Sequence, residues 1–349
     1  MTYQWDGQPV PAGGSKGAII YNNVLLTTRT TRSSTEIKVI LVLGSLDGKH
    51  WMDGPTIVRK AIAPGLDVGD GCLLGVDHRT LWYSFRDNDN VKREFSIRVV
   101  VSTDAGKTWG DHSVVATSKG QRRGLWASHL YVSQSGDVVC TYDDEDTPFD
   151  TFPGHQWLTA KRCARDQKQW GHPVTVSRAF NRKALSRDGM PSLVSLGGSR
   201  IGCALETVAT GPIPSSQIMF VTSNDDGKTW SWIRQERTLI FASRKPGYAA
   251  YAPWLTRVPG GDLVCVFTSN DRADKSDAPG TPAGQLHGDI LMSCSDNQGV
   301  SWGSPTVVYA GGNRNYMPQI VITDSKTAVC LSLDHASNQF IAVSGTRTS

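Results

Sequence analysis

Ser102-Thr-Asp-Ala-Gly-Lys-Thr-Trp109 is repeated at 223–230 as Ser-Asn-Asp-Asp-Gly-Lys-Thr-Trp. Less perfect copies also end in tryptophan, and the five closing residues are Trp51, Trp109, Trp170, Trp230 and Trp302. The gaps between them are 58, 61, 60 and 72 residues, so a chain of 349 residues holds six units of about 58. Regular self-similarity on this scale indicates an architecture of repeated structural units. The sequence therefore predicts six such units.

The octet has the residues of a stable turn. Apolar runs of strand character precede its two best copies, at 95–101 and 218–222. Its Asp can accept hydrogen bonds from the backbone of its own turn, its Gly allows a positive φ, and its Trp buries a large ring beneath the corner. The copy at 295–302 carries Asn297 at the Asp position, and the copies ending at Trp51 and Trp170 are degraded. We expect a structural role for the octet, not a catalytic one.

These octets resemble the Asp-box of sialidase-like β-propellers. That resemblance, with the six units, implies an all-β fold: a six-bladed β-propeller with Asp-box hairpins. We expect residues 1–349 to form a single propeller domain whose N-terminal strand closes the last blade. A charged fraction of 19% and 35 glycines suit a large all-β chain.

Composition limits the classes of partner. The net charge of +4 is spread along the chain without a basic stripe, so we expect no nucleic-acid partner. No apolar run approaches 18 residues, and the first residues lack the layout of a secretion signal, so no membrane segment is expected. The seven cysteines show no Cys-x-x-Cys spacing and the eight histidines no ligand spacing. We predict a monomer without metal or cofactor.

Corresponding strand ends of a propeller converge on one pocket. The second strand of each unit ends in polar residues, which are Arg29, Arg86 with Asp87, Asp143, Glu206, Asn270 and Asp334. The preceding strands begin with a second polar and aromatic set, which is Asp67 or Asp70, Trp126 with His129, Arg187 with Asp188, Tyr248 to Tyr251, and Tyr316. Carboxylates, arginines and aromatic rings around one pocket suit a glycosidase, and a lyase would use similar residues with a Tyr or His base.

Four stretches also resemble glycoside hydrolase family 93, the exo-acting α-1,5-L-arabinanases. They are Arg86-Asp-Asn, Gly124-Leu-Trp126, Ser186-Arg-Asp-Gly-Met-Pro191 with Ala204-Leu-Glu206, and Ala250-Tyr-Ala-Pro253 with 264–270. The resemblance implies that Glu206 belongs to the catalytic pair. Family members place the acid/base glutamate where this chain has Ala127. The candidates for a substitute acid are Asp143, Asp144, Glu145, His129, Asp67 and Asp70.

A second resemblance concerns sialidases, which pair a glutamate with a nucleophilic tyrosine of the last blade. Glu206 and Tyr316 are 110 residues apart, a similar separation. The Arg-Ile-Pro segment typical of sialidases is absent from the sequence, and no arginine triad can be placed. We therefore rank sialidase chemistry below arabinanase-like chemistry.

The expected function is that of a retaining exo-glycosidase that releases sugar units from the end of an arabinan-like or related oligo- or polysaccharide. The catalytic candidates are Glu206 as nucleophile or base, Tyr316, Asp143 and Asp144. The substrate-binding candidates are Arg29, Arg86, Asp87, Trp126, His129, Arg187, Asp188, Tyr251, Asn270 and Asp334. The alternatives are a glycan-binding propeller without hydrolysis, a sialidase, or a polysaccharide lyase using Tyr316 or His129. The family resemblance suggests a secreted protein, although no signal peptide is apparent.

Overall fold

Six antiparallel sheets are arranged as the blades of a propeller. The computed structural model describes residues 1–121, 123–146, 155–178, 186–209, 215–233, 236–243, 248–272, 288–310, 315–334 and 337–348. These residues contain 25 β-strands and no α-helix. The predicted all-β, six-bladed propeller is confirmed.

Each of the first three blades consists of four consecutive strands. The strands of blade 1 are β3 (Lys16–Tyr21), β4 (Val24–Arg32), β5 (Glu36–Gly44) and β6 (Trp51–Ala61). The strands of blade 2 are β7 (Leu66–Gly75), β8 (Leu81–Asp89), β9 (Glu94–Ser102) and β10 (Gly110–Lys119). The strands of blade 3 are β11 (Leu125–Val132), β12 (Val138–Asp144), β13 (Trp157–Cys163) and β14 (Val174–Ser177).

The last three blades repeat this pattern, and the sixth also includes the N-terminus. The strands of blade 4 are β15 (Ser186–Gly197), β16 (Arg200–Ala209), β17 (Ser215–Ser223) and β18 (Thr238–Phe241). The strands of blade 5 are β19 (Ala250–Arg257), β20 (Leu263–Ser269), β21 (Asp289–Ser295) and β22 (Thr306–Tyr309). The strands of blade 6 are β23 (Asn315–Ile322), β24 (Thr327–Asp334), β25 (Gln339–Arg347), β1 (Tyr3–Trp5) and β2 (Val10–Pro11).

The first strands of the blades surround the central axis. β3, β7, β11, β15, β19 and β23 contact one another in that order, and β23 contacts β3 again to close the ring. Both β1 and β2 pair with β25, with Tyr3 opposite Arg347 and Val10 opposite Ala342. The two ends of the chain therefore meet in blade 6.

The core lies between neighbouring blades. Leu25 of blade 1 packs with Leu331 of blade 6, for example, and Phe220 of blade 4 packs in one cluster with Phe267 of blade 5. The second strand of blade 5, β20, is covered on both faces, because every one of its residues is buried. Its first five residues are apolar on both faces, as in other sheets that are covered on two sides. All seven cysteines are free and six of them are buried.

The Asp-boxes form the predicted turns between third and fourth strands. In blade 4, the Asp225 carboxylate accepts bonds from the Thr229 N–H at 2.8 Å and the Thr229 hydroxyl at 2.6 Å. The Gly227 N–H donates to the Ser223 hydroxyl at 2.8 Å, with the Gly227 φ at +84°. The Trp230 indole N–H donates to the Gly227 carbonyl at 3.2 Å. Asp225, Ser223 and Trp230 thus bind within their own turn.

The Asp-boxes lie at the opposite end of the blades from the predicted pocket. Within blade 4, Ser223 at the end of β17 pairs with Ile201 at the start of β16. Glu206 lies further along β16, where it pairs with Ile218. The box at 223–230 and Glu206 are therefore at different ends of one sheet.

Candidate functional site

A β-bulge interrupts the pairing of every innermost strand. The register shifts lie between Lys16 and Ile19, Gly69 and Cys72, Leu125 and Ser128, Gly189 and Ser192, Tyr251 and Trp254, and Tyr316 and Gln319. Residues with positive φ occupy five of these bulges, namely Gly17, Asp70, Met190, Ala252 and Met317. Bulges redirect side chains and leave backbone groups outside the ladder. One small axial cavity is lined by bulge residues of all six blades.

The register shows which strand ends face the pocket. Residues opposite the start of a bulge include Thr28, Arg86, Glu206, Thr268 and Leu333. In β12 the residue opposite the start of the bulge is Asp144, but Asp143 is the equivalent of Glu206 by its contact, since each accepts a hydrogen bond from the bulge N–H of the following blade. Of the six predicted strand-end residues, Arg86 and Glu206 thus occupy this position, and Asp143 matches Glu206 by this contact.

Glu206 reaches from blade 4 to the bulge of blade 5. Its Oε2 accepts a hydrogen bond of 2.7 Å from the Ala252 N–H. Burial raises the pKa of Glu206, while that hydrogen bond and the charge of Arg187 oppose the rise. The carboxylate is therefore partly desolvated but retains one backbone donor.

Asp143 makes the same kind of contact one blade earlier. Its Oδ1 accepts a 3.0 Å hydrogen bond from the N–H of Met190 in the bulge of blade 4, and the residue is 3% exposed. Burial, followed by the negative charge of Glu206, raises the pKa of Asp143 well above that of an ordinary aspartate. Asp143 therefore holds its proton more strongly than an aspartate in water.

Gly189 adjoins both Asp143 and Glu206. It pairs with Glu206 across the blade 4 ladder, and a Cβ placed on it would lie 2.9 Å from Asp143 Oδ2. Because Gly189 has no side chain, it leaves room for the Asp143 carboxyl beside the ladder that carries Glu206. The raised pKa of Asp143 reflects this proximity, since Glu206 is its second largest cause.

Two tyrosines adjoin this pair. Tyr251 and Tyr316 belong to an apolar cluster with Met190, Ala252 and Met317. Burial and the charge of Glu206 raise the pKa of Tyr251 to about 12. Burial, then Glu206, also raises the pKa of Tyr316. Both phenols are therefore protonated at neutral pH and face the glutamate.

Arg187 lies at the side of the pocket. Its guanidinium bonds Glu145 Oε1 at 3.0 Å and Gln156 Oε1 at 2.7 Å. It also lowers the pKa values of Asp143 and Glu206 in opposition to burial. Glu145 in turn accepts a 3.1 Å hydrogen bond from the Gly124 N–H. This network fixes a positive charge beside the two carboxyl groups.

A charged cluster occupies blades 1 and 2. Arg86 binds Asp67 through two nitrogens at 2.9 and 3.0 Å and also pairs with Asp70. Its guanidinium carbon lies 5.8 Å from the Trp126 ring centroid. Lys16 pairs with Asp70 from the other side. Burial, then Arg86, lowers the pKa of Lys16 to about 7.

Several predicted residues bind elsewhere in the described structure. Arg29 pairs with Asp53 at 2.7 Å, and Asp87 pairs with Lys60 at 2.8 Å and with Arg98 at 2.9 Å. Each lies one residue beyond the pocket-facing position, and successive side chains of a strand point to opposite faces. The structure therefore places neither with Glu206.

Asp188, Asn270 and Asp334 have local partners. The buried Asp188 carboxylate accepts a bond from the Ser177 hydroxyl at 2.6 Å and pairs with Arg237 at 3.2 Å. Asn270 follows β20 and accepts a 2.8 Å bond from the Ala249 N–H. Asp334 accepts a 2.8 Å bond from the hydroxyl of Ser337. These contacts hold loops and strand ends.

Asp144 and His129 are also displaced from the carboxyl pair. Burial raises the pKa of Asp144 to about 6, but this residue neighbours Asp143 in β12 and points to the other face. His129 is 7% exposed and lies against Trp254, with ring centroids 5.2 Å apart. Burial lowers the pKa of His129 to about 4. His129 is therefore a neutral core residue near the axis.

Lys16 is a charged pocket residue that the sequence analysis missed. It immediately precedes Gly17 at the bulge of blade 1, as Tyr316 precedes Met317 at that of blade 6. Alignment of the units on their first strands would have revealed it.

Two further observations concern ligands and membranes. Among the described residues, no three His, Cys, Asp or Glu side chains form a group that could hold a metal ion. None of the described segments forms a helix with the length and apolar character that a membrane crossing needs.

No protein-family model and no curated protein matches this chain. Solved structures with similar folds include an α-L-arabinofuranosidase of Fusarium graminearum in complex with an iminosugar inhibitor. It has a TM-score of 0.66 and 17% identity over 99% of this chain and 94% of that one. A Penicillium chrysogenum α-L-arabinanase complexed with arabinobiose has a TM-score of 0.66 and 16% identity over 99% and 98% of the two chains.

A third similar structure is the Hadza microbial sialidase Hz136, with a TM-score of 0.61 and 13% identity over 95% of this chain and 66% of that one. Likeness at these identities concerns the fold. The predicted resemblance to the arabinanase and sialidase propellers is confirmed at that level.

Proposed function

We propose that this protein is a glycoside hydrolase that releases sugar units from the end of an arabinan-like or related glycan. The observation that carries the proposal is the pair Asp143 and Glu206, which both adjoin Gly189 and lie close enough for the charge of Glu206 to act on Asp143. Two carboxyl groups at one pocket are what glycoside hydrolysis requires. Asp143 would supply the proton donor whose family position is occupied by Ala127.

The electrostatics support distinct roles for the two groups. The negative charge of Glu206 raises the pKa of Asp143, so Asp143 keeps its proton when Glu206 has lost its own. The Ala252 N–H and Arg187 favour the ionised form of Glu206. A protonated acid beside an ionised carboxylate is the state in which a retaining glycosidase begins its reaction. Glu206 would be the nucleophile and Asp143 the acid, then the base.

The surrounding side chains suit a sugar. Trp126 and Tyr316 are half-buried aromatic residues beside the pocket, and aromatic rings pack well against the apolar faces of sugars. Beneath them, Met190, Ala252 and Met317 fill the axis and leave a cavity of about 40 Å³. A pocket closed at the axis admits the end of a glycan more readily than its middle. This supports exo action.

The similar structures support the choice of substrate. The Penicillium arabinanase was solved with arabinobiose, and the Fusarium enzyme is an arabinofuranosidase. We therefore propose terminal α-L-arabinofuranosyl units as the first substrates to examine.

The test is turnover of α-1,5-linked arabino-oligosaccharides by the wild type, Glu206→Gln and Asp143→Asn. We expect arabinose release by the wild type and a loss of kcat of about 1,000-fold or more in Glu206→Gln. Asp334→Asn, outside the pocket, is the control and should keep wild-type activity. Unchanged turnover in Glu206→Gln would refute the proposal. Binding without turnover by the wild type would instead indicate a glycan-binding propeller.

Substrate panels distinguish the remaining alternatives. Sialosides test sialidase chemistry, in which Tyr316 would be the nucleophile. Uronate-containing oligosaccharides test lyase chemistry, which yields unsaturated products that absorb ultraviolet light. Activity on either class with none on neutral glycans would contradict the proposed function.

A further inference from the structure

A charged pair lines the axial cavity and has no part in the hydrolytic steps above. Lys16 of β3 and Asp70 of β7 are both lining residues of this cavity, and they bind each other. They lie on blades 1 and 2, whereas Asp143 and Glu206 lie on blades 3 and 4. The two pairs therefore approach the same pocket from different blades.

Asp70 has a positive φ, as do the bulge residues of four other blades. The six bulges place Gly17, Asp70, Ala127, Met190, Ala252 and Met317 at corresponding positions, and Asp70 is the ionisable member of that set. Its φ of +46° is unfavourable for a residue with a side chain. Strain of this kind is retained at functional sites when the surrounding structure enforces it. The bulge directs the Asp70 carboxylate toward the axis.

Lys16 and Arg86 determine the protonation state of the Asp70 carboxyl group. Both cations bind its carboxylate, which therefore remains ionised. An ionised carboxylate accepts hydrogen bonds and has no proton to donate, so Asp70 is suited to hold a hydroxyl group and unsuited to act as the acid. The Lys16 ammonium supplies donors at the same place.

The charges of this cluster balance. In mildly acidic solution, below the Lys16 pKa of about 7, Lys16 and Arg86 carry two positive charges, and Asp67 and Asp70 carry two negative charges in direct contact with them. An anionic ligand would therefore have to compete with these two carboxylates for their cations. An uncharged group with both donors and acceptors can bind without displacing either, which favours hydroxyl groups over a carboxylate or sulfate.

Tyr316 connects the cluster to the reacting carboxyl groups. Tyr316 precedes Met317, which lines the axial cavity with Lys16 and Asp70. It also packs with Met190 and Ala252, the bulge residues that bind Asp143 and Glu206. A sugar ring resting on Tyr316 would thus lie between the Asp143 and Glu206 pair and the Lys16 and Asp70 pair.

We propose that Lys16 and Asp70 form a specificity subsite that binds two neighbouring hydroxyl groups of an uncharged terminal sugar. Asp70 accepts a hydrogen bond from one hydroxyl, and Lys16 donates to the other. The subsite deepens the proposed function by naming the substrate class, but it requires sugar binding only and not hydrolysis.

The test is direct binding of uncharged sugars to the full chain carrying Glu206→Gln, which prevents turnover. The probes are methyl α-L-arabinofuranoside, methyl β-D-galactopyranoside and methyl β-D-xylopyranoside, each with its singly deoxygenated analogues. Saturation-transfer NMR identifies the binders and calorimetry gives Kd. We expect at least one sugar to bind, and Lys16→Met or Asp70→Asn to weaken it about tenfold or more.

Two comparisons separate recognition from loss of structure. Lys60→Met removes another lysine–aspartate contact between blades 1 and 2, that with Asp87, outside the pocket, and should leave Kd unchanged. Asparagine tolerates a positive φ, and thermal melting verifies that Asp70→Asn is folded. Should Asp70→Asn not fold, Lys16→Met alone decides the outcome.

The deoxygenated sugars provide the sharpest readout. The analogue that lacks the hydroxyl bound by Lys16 should bind the wild-type pocket and Lys16→Met with similar Kd, because the contact is already absent. Three results would overturn the subsite. They are an equal loss of affinity in Lys16→Met for the parent sugar and all its analogues, unchanged binding of the parent sugar by Lys16→Met, and no binding by any probe. Binding that Lys16→Met abolishes, with no hydrolysis by the wild type, would refute the proposed function and retain the subsite.

Discussion

Asp143 and Glu206 each accept a hydrogen bond from a bulge N–H of the following blade, Met190 for Asp143 and Ala252 for Glu206. The propeller thus repeats one contact in two successive blades, and the repetition brings two carboxyl groups to one pocket. Gly189 lies beside the Asp143 carboxyl and leaves room for it.

Gly189→Ala should impair catalysis. The added Cβ would lie 2.4 Å from Gln156 Nε2 and 2.9 Å from Asp143 Oδ2, so Asp143 and the partner of Arg187 must both move. We expect kcat to fall by about 100-fold, since displacement of a reacting group by about 1 Å has costs of this size. Gly110→Ala is the control, because its Cβ would meet nothing within 4 Å. Similar kcat values for the two variants would contradict this geometry.

The pH profile of kcat/KM should be bell-shaped and displaced from that of free carboxylic acids. Glu206 must be ionised, and burial raises its pKa, so activity falls as pH decreases through a value above about 4.3. Asp143 must be protonated, and its pKa is raised further, so activity falls again as pH increases through that higher value. In Asp143→Asn the decline at high pH should disappear. A decline that persists would assign the acid to another group.

Asp143→Asn should also stabilise the fold at neutral pH. The raised pKa of Asp143 means that the folded state disfavours its ionised form, so this residue costs stability as pH rises from about 4, where the unfolded carboxyl ionises, through the folded pKa. Asparagine can still accept the bond from Met190 and has no charge to bury. We expect Tm to rise by about 2 °C at neutral pH and to be unchanged near pH 4. A lower Tm at neutral pH would show that the ionised carboxylate stabilises the fold.

Ala127→Glu tests whether the family position of the acid can be restored. Ala127 is 7% exposed and lines the axial cavity, where little room remains for a carboxyl group. We expect lower Tm and lower kcat, because the new side chain overpacks the axis and brings another charge there. An increase in kcat would mean that the wild type lacks an acid, and that Asp143 does not serve as one.

Asp225→Ala should destabilise the protein without affecting its chemistry. It removes acceptors for the Thr229 N–H and hydroxyl at the face opposite the pocket. We expect a loss of about 1–2 kcal/mol, with kcat/KM unchanged. Asp225→Asn is the matched control, since Asn297 accepts the equivalent bond from the Ser301 N–H at 2.9 Å. A large effect of Asp225→Ala on kcat would assign the Asp-box a role in the site.

The sequence predicts the propeller well because the octets act at short range. Each fixes one turn through residues within eight positions, so spacing alone counts the blades. The same spacing locates Arg86, Asp143 and Glu206. These residues lie near the ends of second strands, opposite the bulges of the first strands.

The other strand-end residues could not be located in this way. Arg29 and Asp334 lie one residue past the pocket-facing position and Asn270 lies two past it. A shift of one residue turns a side chain to the opposite face of the sheet. The bulges that set this register depend on packing around the axis, which no local pattern in the chain records.

The role of Asp143 as proton donor is the central claim, and leaving-group dependence tests it most directly. Asp143→Asn is assayed on α-1,5-arabinobiose, whose leaving alkoxide needs a proton, and on 4-nitrophenyl α-L-arabinofuranoside, whose phenolate leaves without one. The account predicts a loss of kcat/KM of about 100-fold or more on arabinobiose and a much smaller loss on the nitrophenyl glycoside. Equal losses on both substrates would contradict it.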